Sequence, residues 1–171
     1  MLELSGESGD GVITHGVHSS FATYASKILT QSAQKVGRDP KEIDLAIQCH
    51  ILPTNNTELA IEKLKPSNLM MAGGEYSLDL VPYYGLTLED VKPLREAVRS
   101  GDQDRAVKIM TKEHVRAFAI LGHPEECIEQ IRSMEKAGVT QIIASSGGQQ
   151  TGEEVLQNIQ KIGKEIIPHF R

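Results

Sequence analysis

The sequence predicts an α/β fold with a parallel sheet, and three observations support that prediction. Short apolar segments alternate along the chain with amphipathic segments whose apolar residues recur every three or four positions. The longest apolar segment, residues 43–52, is nearly continuous, which is typical of a strand covered on both faces. Residues 67–110 interrupt the alternation. We interpret this stretch as an all-helical insertion in one α/β domain that spans residues 1–171.

The first strand–helix unit follows a short N-terminal helix. A Gly-Asp-Gly turn leads into the strand Gly11–Thr14, which consists mainly of apolar residues. Ser19 or Ser20 is the predicted cap of the next helix, because a hydroxyl can accept a hydrogen bond from a free backbone N–H of the first turn. That helix keeps its apolar spacing until Gly37, a residue type common at helix C-termini.

The second unit consists of the strand at residues 43–52 and a helix that begins at Thr57. Pro66 is predicted to end this helix, since proline lacks the backbone N–H and clashes with the preceding turn. Two helices are predicted inside the insertion, with Thr87 and Asp102 as their caps.

The alternation of strand and helix resumes after the insertion. Residues 117–121 are predicted to form a short strand, and Pro124 opens a helix whose first turn carries two glutamates. Proline and acidic residues both suit the positive end of a helix. Gly138 ends this helix, the last strand covers residues 141–146, and the last helix covers residues 153–167.

Composition excludes several classes of function. The net charge of -5 argues against nucleic acid, because binding to phosphates requires a basic surface. No apolar run approaches the ~20 residues that span a bilayer. The two cysteines, Cys49 and Cys127, lie in different elements without a CxxC pairing, which favours a reducing compartment. We expect a cytoplasmic protein that acts on a small molecule, with neither nucleic acid nor membrane as partner.

An ordered set of short motifs supports a family resemblance. Gly6-Glu7, Asp10-Gly11-Val12, Gly37-Arg38-Asp39-Pro40, Gly122 to Cys127 and Ala137-Gly138-Val139 follow one another at characteristic spacing. In these motifs the chain resembles the C-terminal half of the luciferase-like flavin- and deazaflavin-dependent oxidoreductases. The segments that begin at Gly138 and Ile162 resemble those of the archaeal 5,10-methylenetetrahydromethanopterin reductases.

The resemblance implies a partial (β/α)8 TIM barrel and a cofactor, coenzyme F-420 or alternatively FMN. It implies hydride transfer to a methylene-tetrahydromethanopterin-like substrate in one-carbon metabolism. The segment at Met1 opens inside the repeating pattern, so we expect the family's N-terminal strands, part of its substrate pocket and its glycine-rich phosphate loop to be missing. Ser145 to Gln150 also departs from the Gly-Ser-Pro-type turn of the family.

The loop Ser145-Ser146-Gly147-Gly148 is the strongest candidate cofactor site. Small residues between a strand and a helix expose backbone N–H groups that can hold an anion, and barrels often bind phosphate after strands 7 and 8. The alternative interpretation, a flexible turn, has equal weight.

His15 is a second candidate for binding the cofactor, because it follows the end of the first strand, where ligands bind. A solvent-exposed histidine is the alternative. Cys49 and His50 end the longest strand, but adjacent strand residues face opposite sides and cannot act together. Cys127 lies in a first helical turn, where the helix dipole lowers a thiol pKa, yet packing is the better interpretation. No catalytic dyad, triad or metal site is predicted.

Three functional hypotheses follow. In the first, the chain is part of an F-420- or FMN-dependent oxidoreductase. In the second, it is a non-catalytic half-barrel with a binding or assembly role. In the third, it is a phosphate-binding α/β domain of unrelated function. Four strands cannot close an eight-stranded barrel, and open edges favour association, so we expect a homo-oligomer.

Overall fold

The computed structural model describes residues 1–74, 78–148 and 150–170. Four parallel strands form an open sheet in the part of the chain that is described. They are β1 (Gly11–Thr14), β2 (Asp44–Pro53), β3 (Ala119–Gly122) and β4 (Gln141–Ser145). The mixture of parallel strands and intervening helices confirms the predicted partial barrel, and the sheet does not close.

Strand β2 is the centre of the sheet and pairs with all three other strands. His50 pairs with Ala119 of β3 and with Ser145 of β4, so these two strands lie on opposite sides of β2. Ala46 pairs in the same way with Ile13 of β1 and with Gln141 of β4. Strands β1 and β3 therefore share one side of β2, β1 along its first half and β3 along its second.

Helices cover the sheet and build the insertion. Their bounds are α1 (Leu2–Ser8), α2 (Ser19–Lys35), α3 (Thr57–Ala72), α4 (Leu88–Arg99), α5 (Gln103–Ile109), α6 (Lys112–Arg116), α7 (Pro124–Lys136) and α8 (Gly152–Glu165). Short 3-10 segments occupy Pro40–Glu42, Leu78–Tyr84 and Ile167–Phe170. Within the described residues, no helix combines the length and the apolar character that crossing a membrane requires.

The core lies on the helix-covered face of the sheet. Leu45, Ile47, Cys49 and Ile51 of β2 are buried there, as their period of two requires. Three aromatic rings pack against one another at tilted angles, with centroid separations of 4.8 Å and 5.0 Å, and join α2 to the insertion and to the residue before β3; they are Phe21, Tyr84 and Phe118. The insertion thus packs on the core.

Three local predictions differ from the structure. Helix α3 continues through Pro66 to Ala72, because Leu69 and Ala72 are buried and their packing outweighs the local cost of proline. The cap of α2 is His18, whose Nδ1 accepts from the Ser20 N–H, and not a serine. The short helix α6 was not predicted from the sequence.

Candidate functional site

The candidate site lies where β1 and β4 end, beside the second half of β2. Since the strands are parallel, their C-terminal ends share one edge of the sheet, the edge at which α/β proteins bind ligands. His15 follows β1, His50 lies in the second half of β2, and Ser145 is the last residue of β4. The His15 imidazole Nδ1 lies 3.0 Å from the Gln48 carbonyl oxygen, which ties the loop after β1 to β2.

A chain of hydrogen bonds joins His50 to the backbone of its own strand through Ser145. The Ser145 hydroxyl donates to the Cys49 carbonyl oxygen at 3.1 Å, and the same Oγ lies 3.0 Å from His50 Nδ1. A serine hydroxyl has one hydrogen, so the Oγ accepts from His50 when the imidazole carries its proton on Nδ1, and the tautomer of the ring decides that role.

The Nε2 atom of His50 is buried and has no hydrogen-bond partner among the described residues. The whole residue is only 9% exposed. Burial lowers the His50 pKa, a hydrogen bond to the Ser145 backbone opposes that effect, and the charge of His15 lowers the pKa further. The imidazole is therefore neutral at pH 7. Such a buried polar atom without a partner is uncommon in a native interior, and a water molecule, an ion or a ligand can satisfy it.

Two glycines of the predicted loop have definite packing roles. A Cβ atom on Gly147 would overlap the Nδ1, Cε1 and Nε2 atoms of the His50 ring, so its backbone lies directly against the imidazole. Gly148 has a φ of +93°, and a Cβ there would overlap the Lys63 carbonyl of α3. No acceptor among the described residues contacts the backbone N–H groups of these two glycines.

The start of α8 lies next to this loop and is already capped. Thr151 and Glu154 form a capping box, and Glu154 also pairs with Lys63. The hydrogen bond from Lys63 and then the Thr151 backbone N–H lower the pKa of Glu154 to about 2. The Thr151 hydroxyl therefore already occupies the Glu154 backbone N–H in the first turn of the helix.

The two cysteines are packed thiols. Burial raises the pKa of Cys49 to about 12. Burial, reinforced by the charge of Glu126, raises the pKa of Cys127 to about 11. The expected lowering of the Cys127 pKa by the helix dipole is thus reversed, because desolvation of the thiolate is the larger effect. Among the described residues, no cluster of three or more His, Cys, Asp and Glu side chains is arranged to hold a metal ion.

The structure brings most of the predicted residues together around one that was not predicted. Ser145 and Gly147 contact the His50 side chain, Gly148 continues the loop, and His15 is close enough for its charge to act on His50. Ser146 lies between them and is half-buried. The only sequence signal for His50 was its place near the C-terminal end of the longest strand. The roles of these residues remain predictions.

Comparison with known proteins identifies the family. Residues 1–141 match the model of the luciferase-like monooxygenase family. The chain belongs to this family. The match covers more than half of the chain and includes β1, β2, the insertion and β3.

Curated relatives of this luciferase-like chain are 5,10-methylenetetrahydromethanopterin reductases. The chain is 28% identical over 173 residues to the enzyme of Methanopyrus kandleri, with 100% of the chain and 48% of the relative covered. It is 32% identical over 170 residues to the enzyme of Methanolobus tindarius, with 98% and 50% covered. The chain therefore spans about half the length of the curated relatives it matches and corresponds to their C-terminal half.

Solved structures show the same fold. The coenzyme F-420-dependent tetrahydromethanopterin reductase of Methanopyrus kandleri superimposes with a TM-score of 0.82 at 28% identity, covering 100% of this chain and 48% of that one. An F-420-dependent secondary alcohol dehydrogenase superimposes with a TM-score of 0.69 at 18% identity, covering 99% and 46%. At that identity the second likeness concerns the fold alone.

Proposed function

We propose that this chain is the C-terminal half of a coenzyme F-420-dependent oxidoreductase that reduces a methylene-tetrahydromethanopterin-like substrate. One observation carries the proposal most strongly: among the described residues, His50 Nε2 and the backbone N–H groups of Gly147 and Gly148 have no hydrogen-bond partner, at the edge of the half-barrel where α/β proteins bind ligands. The similarity to F-420-dependent reductases supports the identity of the cofactor. FMN is the alternative cofactor, because a luciferase-like neighbour that superimposes with a TM-score of 0.53 is described in complex with FMN.

The residues at the site are suited to the phosphate-bearing part of such a cofactor. The N–H groups of Gly147 and Gly148 have no acceptor among the described residues, and the Ser146 hydroxyl lies in the same loop. We propose that these groups bind the phosphate and that His15 interacts with the cofactor from the end of β1. The bound cofactor supplies the hydride, while the protein orients the reactants and excludes water.

Cofactor titration tests this proposal. Fluorescence and calorimetry would measure the binding of F-420 and, separately, of FMN to the purified chain. Ser146→Glu places a carboxylate beside the loop and is expected to weaken F-420 binding about tenfold or more by repelling the phosphate. Ser133→Glu, on the exposed surface of α7, is the matched control and should leave the affinity unchanged.

The outcomes separate the alternatives. Binding of FMN without binding of F-420 would assign the site to a flavin. Failure of both cofactors to bind at high micromolar concentration would contradict a cofactor role for this chain. That last result would favour the second candidate, a non-catalytic half-barrel that associates with other chains. The open sheet and the exposure of Ile13 in β1, which is 63%, are the observations in favour of this candidate.

A further inference from the structure

A small polar cavity lies beside the C-terminal end of β2, between α3 and α8. Its volume is about 230 Å³, below the roughly 300–1,000 Å³ of pockets for drug-sized ligands. The candidate cofactor residues described above do not line it. The side formed by α8 presents four polar residues, whose spacing of three and four positions places them on one face of the helix; they are Glu154, Gln157, Asn158 and Lys161.

The charged side chains of this cavity, two lysines and one glutamate, carry a net charge of +1. Lys63 donates to Glu154 at 2.5 Å, so these two charges balance each other. Lys161 is half-buried and makes no hydrogen bond or ion pair with any described residue. It also borders a neighbouring cavity that contains Glu165, but no ion pair joins the two side chains. The cavity therefore matches a ligand with a single negative charge, which an ammonium group binds through charge-assisted hydrogen bonds.

Two amide oxygens in the cavity have no donor. Asn158 is only 8% exposed, and its Nδ2 donates to the Ile51 carbonyl oxygen at 2.8 Å. Because a carbonyl oxygen only accepts, this bond fixes the orientation of the amide and leaves Oδ1 without a donor among the described residues. Gln150 Oε1 is buried and likewise has no partner in the described part of the chain. Buried polar atoms are usually paired, so a ligand that donates hydrogen bonds fits here.

We propose that this cavity binds a small monocarboxylate that also carries a hydroxyl group. The carboxylate pairs with Lys161, and the hydroxyl donates to Gln150 Oε1. Asn158 Oδ1 accepts from a second hydroxyl where the ligand has one. A hydroxyl fits better than an ammonium group, since a second cation would lie beside Lys161. No covalent bond changes on binding, and the inference does not depend on the proposed cofactor.

Glycolate, acetate and sulfate are the probes. Glycolate carries both groups, acetate lacks the hydroxyl, and sulfate is a dianion without a donor. Nuclear magnetic resonance spectra of the full chain, recorded at pH 7 and constant ionic strength, would measure the affinity for each probe. We expect millimolar binding of glycolate, about fivefold to tenfold tighter than that of acetate because of the added hydrogen bond, and weaker binding of sulfate. The side-chain amide signals of Gln150 and Asn158 should shift most.

Variants assign the two contacts. Lys161→Met keeps the length of the side chain but removes its charge, so it should weaken glycolate binding at least about tenfold. Lys164→Met, exposed on α8 outside the cavity, is its matched control and should leave the affinity unchanged. Gln150→Met removes an acceptor and should abolish most of the preference for glycolate over acetate. Gln160→Met, also exposed on α8, should keep that preference.

Several results would overturn the inference. Spectra that do not change at high millimolar glycolate would show that the cavity holds only water. Equal affinities for glycolate and acetate would contradict the role of the hydroxyl, and tighter binding of sulfate would contradict the preference for a monoanion. Equal losses for Lys161→Met and Lys164→Met would contradict the contact with Lys161. Failure of F-420 to bind would contradict the proposed function alone, because the probes here compete for none of its residues.

Discussion

Gly147 and Gly163 are both glycines, but their surroundings give opposite predictions for a methyl group. At Gly147 a Cβ would overlap the His50 ring, whereas at Gly163, inside α8, it would meet no atom within 4 Å. We expect Gly147→Ala to lower the free energy of unfolding by about 1–3 kcal/mol through overpacking. Gly163→Ala should raise it by about 0.5–1 kcal/mol, because alanine has the better helix propensity. Urea unfolding measures both, and equal effects would contradict the close packing of Gly147 on His50.

His50 also shows what sequence reasoning can reach at the scale of single residues. The loop Ser145–Gly148 and His15 were predicted from their place after strands, and the structure brings Ser145, Gly147 and His15 to one histidine. His50 meets Ser145 only because of the register of β4 against β2, which pairs these two residues although they lie 95 positions apart in the chain. No local pattern encodes that register, so the residue was described from the sequence only as the neighbour of Cys49.

At the scale of elements, the predicted strands and helices were mostly confirmed where a local signal defines them. The caps Thr87 and Asp102 begin α4 and α5 as predicted. Helix α3 shows the limit of such signals, because its last turns depend on burial rather than on local propensity. Asn68 on these turns is buried and donates to the Leu64 carbonyl across Pro66, which fastens the helix on both sides of the proline.

The first turn of α8 gives a prediction with a defined pH dependence. The ordinary pKa of a glutamate is near 4.5, and Glu154 has a pKa of about 2. Its contribution to stability is therefore present above pH 4.5 and is lost as the pH falls through 2. We expect Glu154→Gln to unfold at lower urea concentration than wild type at pH 7, and the difference to shrink below pH 4.

Glu153→Gln is the matched control for this experiment. Glu153 lies in the same helical turn, and its contact within the described chain is an exposed hydrogen bond from Gln157. Glu153→Gln should lower the urea concentration of unfolding by less than Glu154→Gln does at pH 7. If Glu154→Gln lowered the stability equally at every pH, the contacts with Lys63 and Thr151 would not be stabilising the charged form of the carboxylate.

At the scale of the whole molecule, the parallel α/β architecture and the half-barrel were predicted, but the strand order was not. Strands β3 and β4 both pair with β2, on opposite sides, instead of following it one after the other. This order depends on contacts between distant segments. The length of β2, ten residues against four or five in the other strands, is the feature that accommodates three neighbours.

The open sheet leads to a prediction about association. Ile13 of β1 is 63% exposed on the face of the sheet away from the core, and β4 pairs with β2 on one side only among the described strands. Proteins avoid exposed strand edges and apolar faces by pairing them. We therefore expect a dimer or higher oligomer in which Ile13 becomes buried. Ile13→Lys should weaken association at least about tenfold, because burial of an isoleucine contributes about 1.5–3 kcal/mol.

Light scattering on a sizing column, over a range of protein concentrations, measures this association. Met70→Lys is the matched control, since Met70 is similarly exposed but lies on α3, away from the open edges of the sheet. It should leave the oligomeric state unchanged. A wild-type chain that stays monomeric and binds no hydrophobic dye would contradict the prediction, because its open sheet would then need no covering. If Ile13→Lys and Met70→Lys weakened association equally, the contact between subunits would not be specific to β1.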